Sequence, residues 1–170
     1  DAIKVCKKLN IEHHIIDYKD IFKEKIINKF INDYKSGITP NPCVLCNKEV
    51  KLNINIPDEL KVVTDASRVS QIVTNFLSNA IKYTEKGEIS LSMERIDEGH
   101  IRISVKDTGC GISAANLTKV FDRFEKIHSS KQGTGLGLCI CKNLADLLGG
   151  EVFAHSTLGE GSEFVLILPA

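Results

Sequence analysis

Between Asn75 and Gly161, four short polar or glycine-rich elements follow one another in a fixed order. They constrain the fold more than any other feature of the chain. They are Asn75 and Asn79 within one helical stretch, Asp107-Thr108-Gly109-Cys110-Gly111, Gly133-Thr134-Gly135-Leu136-Gly137-Leu138, and Gly159-Glu160-Gly161. Each is weak alone. As a set they supply a metal ligand, a base reader and a phosphate cradle, which together outline an ATP site.

The helical stretch is the clearest local signal. Val69, Ile72, Val73, Phe76, Leu77, Ala80 and Ile81 recur at helical spacing, and Asp65 stands where a carboxylate can cap the free amides of a helix start. Gln71, Asn75, Asn79 and Lys82 fall in a sector of roughly 80° at about 100° per residue. Two such asparagines could simply face solvent. Asn is a poor helix former, however, and a pair beside so deep an apolar stripe points to a function.

Ile54, Ile56 and Pro57 predict a short strand and a turn before this helix. Ile89–Met93 and Ile101–Val105 alternate as antiparallel strands, with a turn at Glu98-Gly99. The second runs into Asp107, a carboxylate at a strand end followed by glycines that let a ring approach the backbone; this suits an exocyclic amine. Gly133–Leu138 precedes a helix containing Ile140, Leu144, Leu147 and Leu148, and glycine-rich backbone at a helix start offers amides and a positive dipole end to phosphate. It lacks the G-x-x-x-x-G-K-[ST] pattern and a preceding Rossmann strand. Gly149-Gly150 ends that helix, and strands Glu151–His155 and Phe164–Leu168 flank Gly159-Glu160-Gly161-Ser162.

The complete series resembles the catalytic ATP-binding domain of sensor histidine kinases, over nearly all of residues 52–170. The resemblance implies a Bergerat-type fold, an α/β two-layer sandwich whose mixed, mostly antiparallel sheet is covered by helices. It implies ATP and Mg²⁺ as cofactors. Asn79 would hold Mg²⁺, Asn75 would support the phosphate–metal water network, and Lys82 would contact phosphate. Tyr83 would pack on adenine, Asp107 would read its amino group, and Gly109, Gly111 and Ile112 would line the base pocket. Gly133, Thr134, Gly135, Leu136, Gly137 and Leu138 would cradle phosphate. Phe121-Asp122-Arg123-Phe124 matches the family's F box, with Arg123 a phosphate contact, and residues 125–134 would form a mobile ATP lid. Ser162 stands where many relatives have Thr and keeps the hydroxyl.

The function so implied is that of the ATP-binding module of a two-component histidine kinase, with Asn75, Lys82 and Arg123 in the catalytic machinery. The phosphoacceptor histidine of this family sits on a helix as His-Glu/Asp followed by Arg-Thr-Pro. None of His13, His14, His100, His128 or His155 has that context. A phosphoacceptor domain acting in trans and a downstream response regulator are therefore the expected partners. The alternative is a nucleotide-responsive interaction module without catalysis.

Residues 1–51 read differently. Ala2, Val5, Cys6 and Leu9 predict a first helix, Ile11–Ile16 a short β-type run, and Ile21, Phe22, Ile26, Ile27, Phe30 and Ile31 a second amphipathic helix. Thr39-Pro40-Asn41-Pro42 is a rigid loop ahead of Cys43-Val44-Leu45-Cys46. Its C-x-x-C could be half a zinc site, a reactive thiol pair or inert. Gly37–Glu49 resembles the catalytic-cysteine loop of bacterial tRNA-specific 2-thiouridylases, which would make Cys46 the catalytic cysteine. That family also needs a Ser-Gly-Gly-type pyrophosphate loop and a second downstream cysteine, which this sequence lacks. A tRNA 2-thiouridylase acting through Cys46 is thus the third reading, with nucleic acid a partner only in that case. The expected division is 1–51, a thiouridylase-like helix–strand–helix fragment, and 52–170, the kinase-like domain. About 50 residues barely bury enough apolar surface to fold alone, so the fragment is expected to dock, self-associate or stay poorly ordered.

Composition narrows the setting. Residues 1–51 carry 10 Lys/Arg against 7 Asp/Glu (+3) and residues 52–170 carry 12 against 15 (−3), so the net charge of zero offers no field for nucleic acid or membrane. No apolar run approaches the roughly 20 residues of a membrane span. The six cysteines form no secreted disulfide framework. A reducing, cytoplasmic context without membrane contact is the expectation.

Overall fold

The computed structural model describes residues 49–57, 62–125 and 135–169. The elements expected at 2–31, the Cys43–Cys46 loop, His128, Gly133, Thr134 and nearly all of the expected lid lie outside the described residues.

Five strands form one mixed sheet, β1 (Glu49–Asn55), β2 (Lys86–Arg95), β3 (His100–Asp107), β4 (Glu151–Thr157) and β5 (Gly161–Pro169), in the order β1-β2-β3-β5-β4. Only β1 and β2 run parallel; the other three pairings are antiparallel. Helices α1 (Ala66–Tyr83) and α3 (Gly137–Leu147) pack on the sheet and on each other, with a short α2 (Ala114–Leu117) against β4. This is the two-layer α/β sandwich that the sequence leads one to expect. β1 starts earlier than Ile54 and Ile56 indicate: its pairing with β2 begins at Glu49↔Lys86 and ends at Asn55↔Ser92, leaving Ile56 beyond the strand.

α1 forms where its capping chemistry and its stripe coincide. Asp65 accepts hydrogen bonds from the amides of Ser67 (3.0 Å) and Arg68 (3.2 Å). All seven stripe residues, Val69 to Ile81, are buried. They face Ile89, Leu91 and Met93 of β2, Ile101, Ile103 and Val105 of β3, and Phe164, Leu166 and Leu168 of β5. Phe76 lies 5.5 Å from Phe164, ring to ring, at the centre of this core. Truncating it to Ala would cost on the order of 3–5 kcal/mol.

Of the apolar residues expected in α3, Leu144 and Leu148 pack against the core. Cys139, Cys141 and Ala145 point inward, while Ile140 and Leu147 are exposed. Small side chains are needed there because α3 packs on α1 as well as on the sheet; the Cys141 thiol lies against the Ile72 carbonyl. The helix stops as expected: Gly149 adopts φ 71°, and the amides of Gly149 and Gly150 bond to the carbonyls of Asp146 and Ala145.

On the opposite face of the sheet, Arg102 ties three strands together through Glu94 (3.1 Å) and Glu163 (2.7 Å). Among the described residues no helix is long and apolar enough to cross a membrane.

Candidate functional site

The described parts of the four sequence elements converge at one end of the sheet because register and packing bring them there. Asp107 is the last residue of β3 and pairs with Ser162 of β5, which in turn pairs with Ser156 of β4. Asp107, Ser162 and Ser156 thus form one row across three strands. α1 ends beside it at Tyr83, and α3 begins across from Asn75.

Asp107 is 4% exposed. Its Oδ1 accepts the Gly109 amide at 2.8 Å, and the Ser162 backbone and the Thr84 side chain stand close enough to favour its ionised form. Burial raises its pKa above the ordinary value, more than these three groups lower it. A carboxylate held by donors in a nearly dry setting gains much from one further donor such as an exocyclic amine. Gly109 is needed for space: a β-carbon there would sit 2.5 Å from the Tyr83 carbonyl and 2.9 Å from the Thr84 hydroxyl.

Gly111 and Gly161 seat one loop on another. Gly111 has φ 66°, and a β-carbon would fall 2.8 Å from the Thr157 carbonyl carbon and 3.0 Å from the Leu158 Cα. Gly161, at φ 120°, packs on the Asp107 carbonyl in the same way. The Gly159 amide donates to the Cys110 carbonyl at 2.8 Å. The fourth element therefore supports the second from below. Ile112 is buried, and its amide donates to the Ser156 hydroxyl at 2.8 Å.

Asn75 and Asn79 are joined: Asn79 Nδ2 donates to Asn75 Oδ1 at 3.1 Å. This leaves the Asn79 carbonyl oxygen as the acceptor available for a cation. Gly137, the first residue of α3, abuts the Asn75 amide so closely that a β-carbon would meet its Oδ1 at 2.9 Å. Gly135 and Leu136 lie just ahead in the same turn, and Leu138 is half-buried against the core. Lys82 places its ammonium 5.0 Å from the centroid of the Tyr83 ring, a cation–π pairing of two expected ligand contacts. Arg123 is exposed in the turn 118–124, and the Phe124 amide donates to the Gly135 carbonyl at 3.0 Å. The F box is thereby fastened to the glycine-rich element.

An open groove of about 300 Å³ runs alongside, lined by Tyr83, Glu85, Lys86, Thr108, Gly109 and Cys110. It reaches Tyr83 and Gly109, expected on the base side, but not Asn75 or Asn79.

Among the described residues no group of three or more His, Cys, Asp or Glu could hold a metal. A Mg²⁺ that keeps waters and phosphate oxygens in its shell needs only one or two protein oxygens. The two asparagine amides, the glycine-led helix start and the buried carboxylate fit a Mg²⁺-triphosphate and an amino-bearing base.

Two contributors have no signal in the sequence. Thr84 supplies its hydroxyl from the α1 C-cap, and Ser156 links the 107–112 loop to β5. Hydroxyls on a strand are common, and only the register shows that Ser156 stands next to Ser162.

Residues 64–170 match the model of the histidine kinase-, DNA gyrase B-, and HSP90-like ATPases. Residues 1–95 match that of the tRNA methyl transferase HUP domain, and the two matches overlap over α1 and β2. The sensor protein TorS of Escherichia coli K12 is 40% identical over 72% of this chain and 14% of its own length. The sensor histidine kinase GacS of Pseudomonas protegens is 44% identical over 64% of this chain and 13% of its own. The chain thus spans about a seventh of the length of these curated relatives. Among solved structures, full-length ShkA in complex with AMPPNP is 31% identical with a TM-score of 0.68, covering 84% of this chain and 30% of that one. The mycobacterial sensor histidine kinase MprB gives a TM-score of 0.70 at 24% identity, over 86% of this chain and 94% of that one, a likeness of fold. The chain belongs to the histidine kinase-, DNA gyrase B- and HSP90-like ATPases, with an N-terminal part that belongs to the tRNA methyl transferase HUP family.

Proposed function

We propose that this chain is the ATP-binding catalytic module of a two-component sensor histidine kinase, delivering phosphate from Mg-ATP to a histidine on a separate phosphoacceptor domain. The observation that carries this reading is the pairing of a buried, amide-held Asp107 with a glycine-led helix start against Asn75, at one end of one sheet. The first suits the base and the second suits phosphate.

Phosphoryl transfer asks a protein mainly for positioning and charge neutralisation. In this reading Asp107 fixes the base, and Tyr83 supports its face. The α3 start, from Gly135 to Leu138, directs amides at the phosphates. Asn79 offers its carbonyl oxygen to Mg²⁺, held in orientation by Asn75. Lys82 leaves the Tyr83 ring to meet the phosphates, and Arg123 reaches them from the F box. Bound Mg²⁺ supplies charge neutralisation of the phosphates.

The test is transfer in trans. The full chain with Mg-ATP and the phosphoacceptor hairpin of a sensor kinase relative should yield acid-labile phosphohistidine on the hairpin, and the Asn79→Ala variant should not. ATP binding without transfer to any such hairpin would leave a nucleotide-responsive interaction module instead.

A further inference from the structure

The hydroxyl groups beside Asp107 have only one consistent arrangement of hydrogens. Ser156 Oγ lies 2.7 Å from the Gly161 carbonyl oxygen. A carbonyl cannot donate, so the single Ser156 hydrogen must lie on that line. The same oxygen accepts the Ile112 amide at 2.8 Å. It also lies 3.0 Å from Ser162 Oγ. With its own hydrogen committed, Ser156 can only accept there, so the hydrogen between the two serines belongs to Ser162. Ser156 is then saturated, with one bond given and two received. Ser162, 8% exposed and paired with Asp107 in the sheet, has spent its only hydrogen and keeps only lone pairs.

We infer that Ser156 is a positioning residue that locks the Ser162 hydroxyl as an acceptor, so that Asp107 and Ser162 together select a purine bearing a 6-amino group over one bearing a 6-oxo group. This rests on the reading of the site as one for ATP. An amino group can satisfy both acceptors, directly or through one water. A 6-oxo purine would bring a third acceptor against them and offer only its single N1 hydrogen in place of the two of an amino group, so one of the two acceptors stays unmatched, an arrangement that discriminates sharply. Without Ser156 the Ser162 hydroxyl is free to turn and donate, and the rejection of a 6-oxo base weakens.

The test compares ATP with inosine triphosphate, which differ at that position, by calorimetric titration of the full chain with Mg²⁺ present. The ATP preference of the native chain should fall about tenfold in Ser156→Ala, the equivalent of one hydrogen bond of about 1.4 kcal/mol. It should be retained in Ser156→Thr, which keeps the hydroxyl. Ser156→Cys, nearly the same size but a poor donor and acceptor, should behave as Ala does and serves if the Ala variant does not fold. A purely structural role would weaken both nucleotides by one factor and leave the preference unchanged, which would overturn the inference while leaving the ATP site intact. Failure of the native chain to bind either nucleotide would overturn the ATP reading, and this one with it.

Discussion

Gly137 at the start of α3 touches the side-chain amide of Asn75 on α1, with space for a hydrogen atom but not for a methyl group. This contact joins the helix that carries the asparagines proposed to face the metal to the helix whose first turn is proposed to face phosphate. It explains why a glycine stands where a better helix former would otherwise be favoured. Gly137→Ala should therefore push Asn75 aside, lowering stability by about 1–3 kcal/mol and weakening Mg-ATP binding. Adding Asn75→Ala should recover most of the stability but not the binding. Urea melts of the single and double variants give the coupling directly. Simple additivity would show that the contact is not strained by the methyl group.

Asp107 carries two opposite consequences. Burial holds its pKa above the ordinary 3.8, so the folded protein binds this proton more tightly than the unfolded chain does. Its contribution to stability therefore falls as pH rises through the interval above 3.8 and stays reduced beyond it. Nucleotide binding runs the other way, because the ionised form is the stronger acceptor for the base, so ATP affinity should decline as pH is lowered into that interval. Asp107→Asn should abolish this part of the pH dependence of stability. It should also weaken ATP binding by about 1.5–3 kcal/mol, the worth of a charged hydrogen bond. Unchanged ATP affinity would remove Asp107 from the base-reading role.

Two substitutions of Asn79 separate its proposed metal contact from phosphate binding. Asn79→Ala removes the carbonyl oxygen left open by the Asn75 bond, and the Mg²⁺ dependence of ATP binding should vanish with it. Asn79→Asp can still take the cation but repels phosphate, so binding should become weaker and more dependent on salt. Titrations of ATP with and without Mg²⁺ distinguish the two. Equal Mg²⁺ enhancement in the native and Ala proteins would place the cation elsewhere.

The cysteines of the domain differ in reach. Burial pushes the Cys141 thiol up to about 12, whereas Cys110 is exposed and lines the groove beside Tyr83 and Gly109. Alkylation followed by peptide mass mapping should label Cys110 well before Cys141 in native protein, and Mg-ATP should slow the Cys110 reaction. Labelling of Cys141 at the same rate as Cys110 would mean that the α1–α3 interface opens readily.

Much of the fold was legible because periodicity and capping agreed. The stripe from Val69 to Ile81 with Asp65 ahead of it defines α1. The alternation of Ile89, Leu91 and Met93, and of Ile101, Ile103 and Val105, defines β2 and β3. The start of β1 was not legible, since Glu49-Val50-Lys51 alternates weakly and its place is set by parallel pairing with a strand that begins only at Lys86. The inward face of α3 was legible in part: Leu144 and Leu148 pack against the core while Ile140 and Leu147 are exposed, and close approach to α1 selects Cys141 and Ala145. Within the site, the charged and glycine positions could be read directly. Thr84 and Ser156 could not, because their roles depend on cross-strand register and on a helix end rather than on spacing along the chain.

The most direct measurement is a calorimetric titration of Mg-ATP into the full chain and into its Asp107→Asn variant. Saturable binding at one site, weakened roughly tenfold to a hundredfold by the substitution as about 1.5–3 kcal/mol requires, is the predicted result. Absence of saturable binding to the native chain, or equal affinity in the two proteins, would contradict the account.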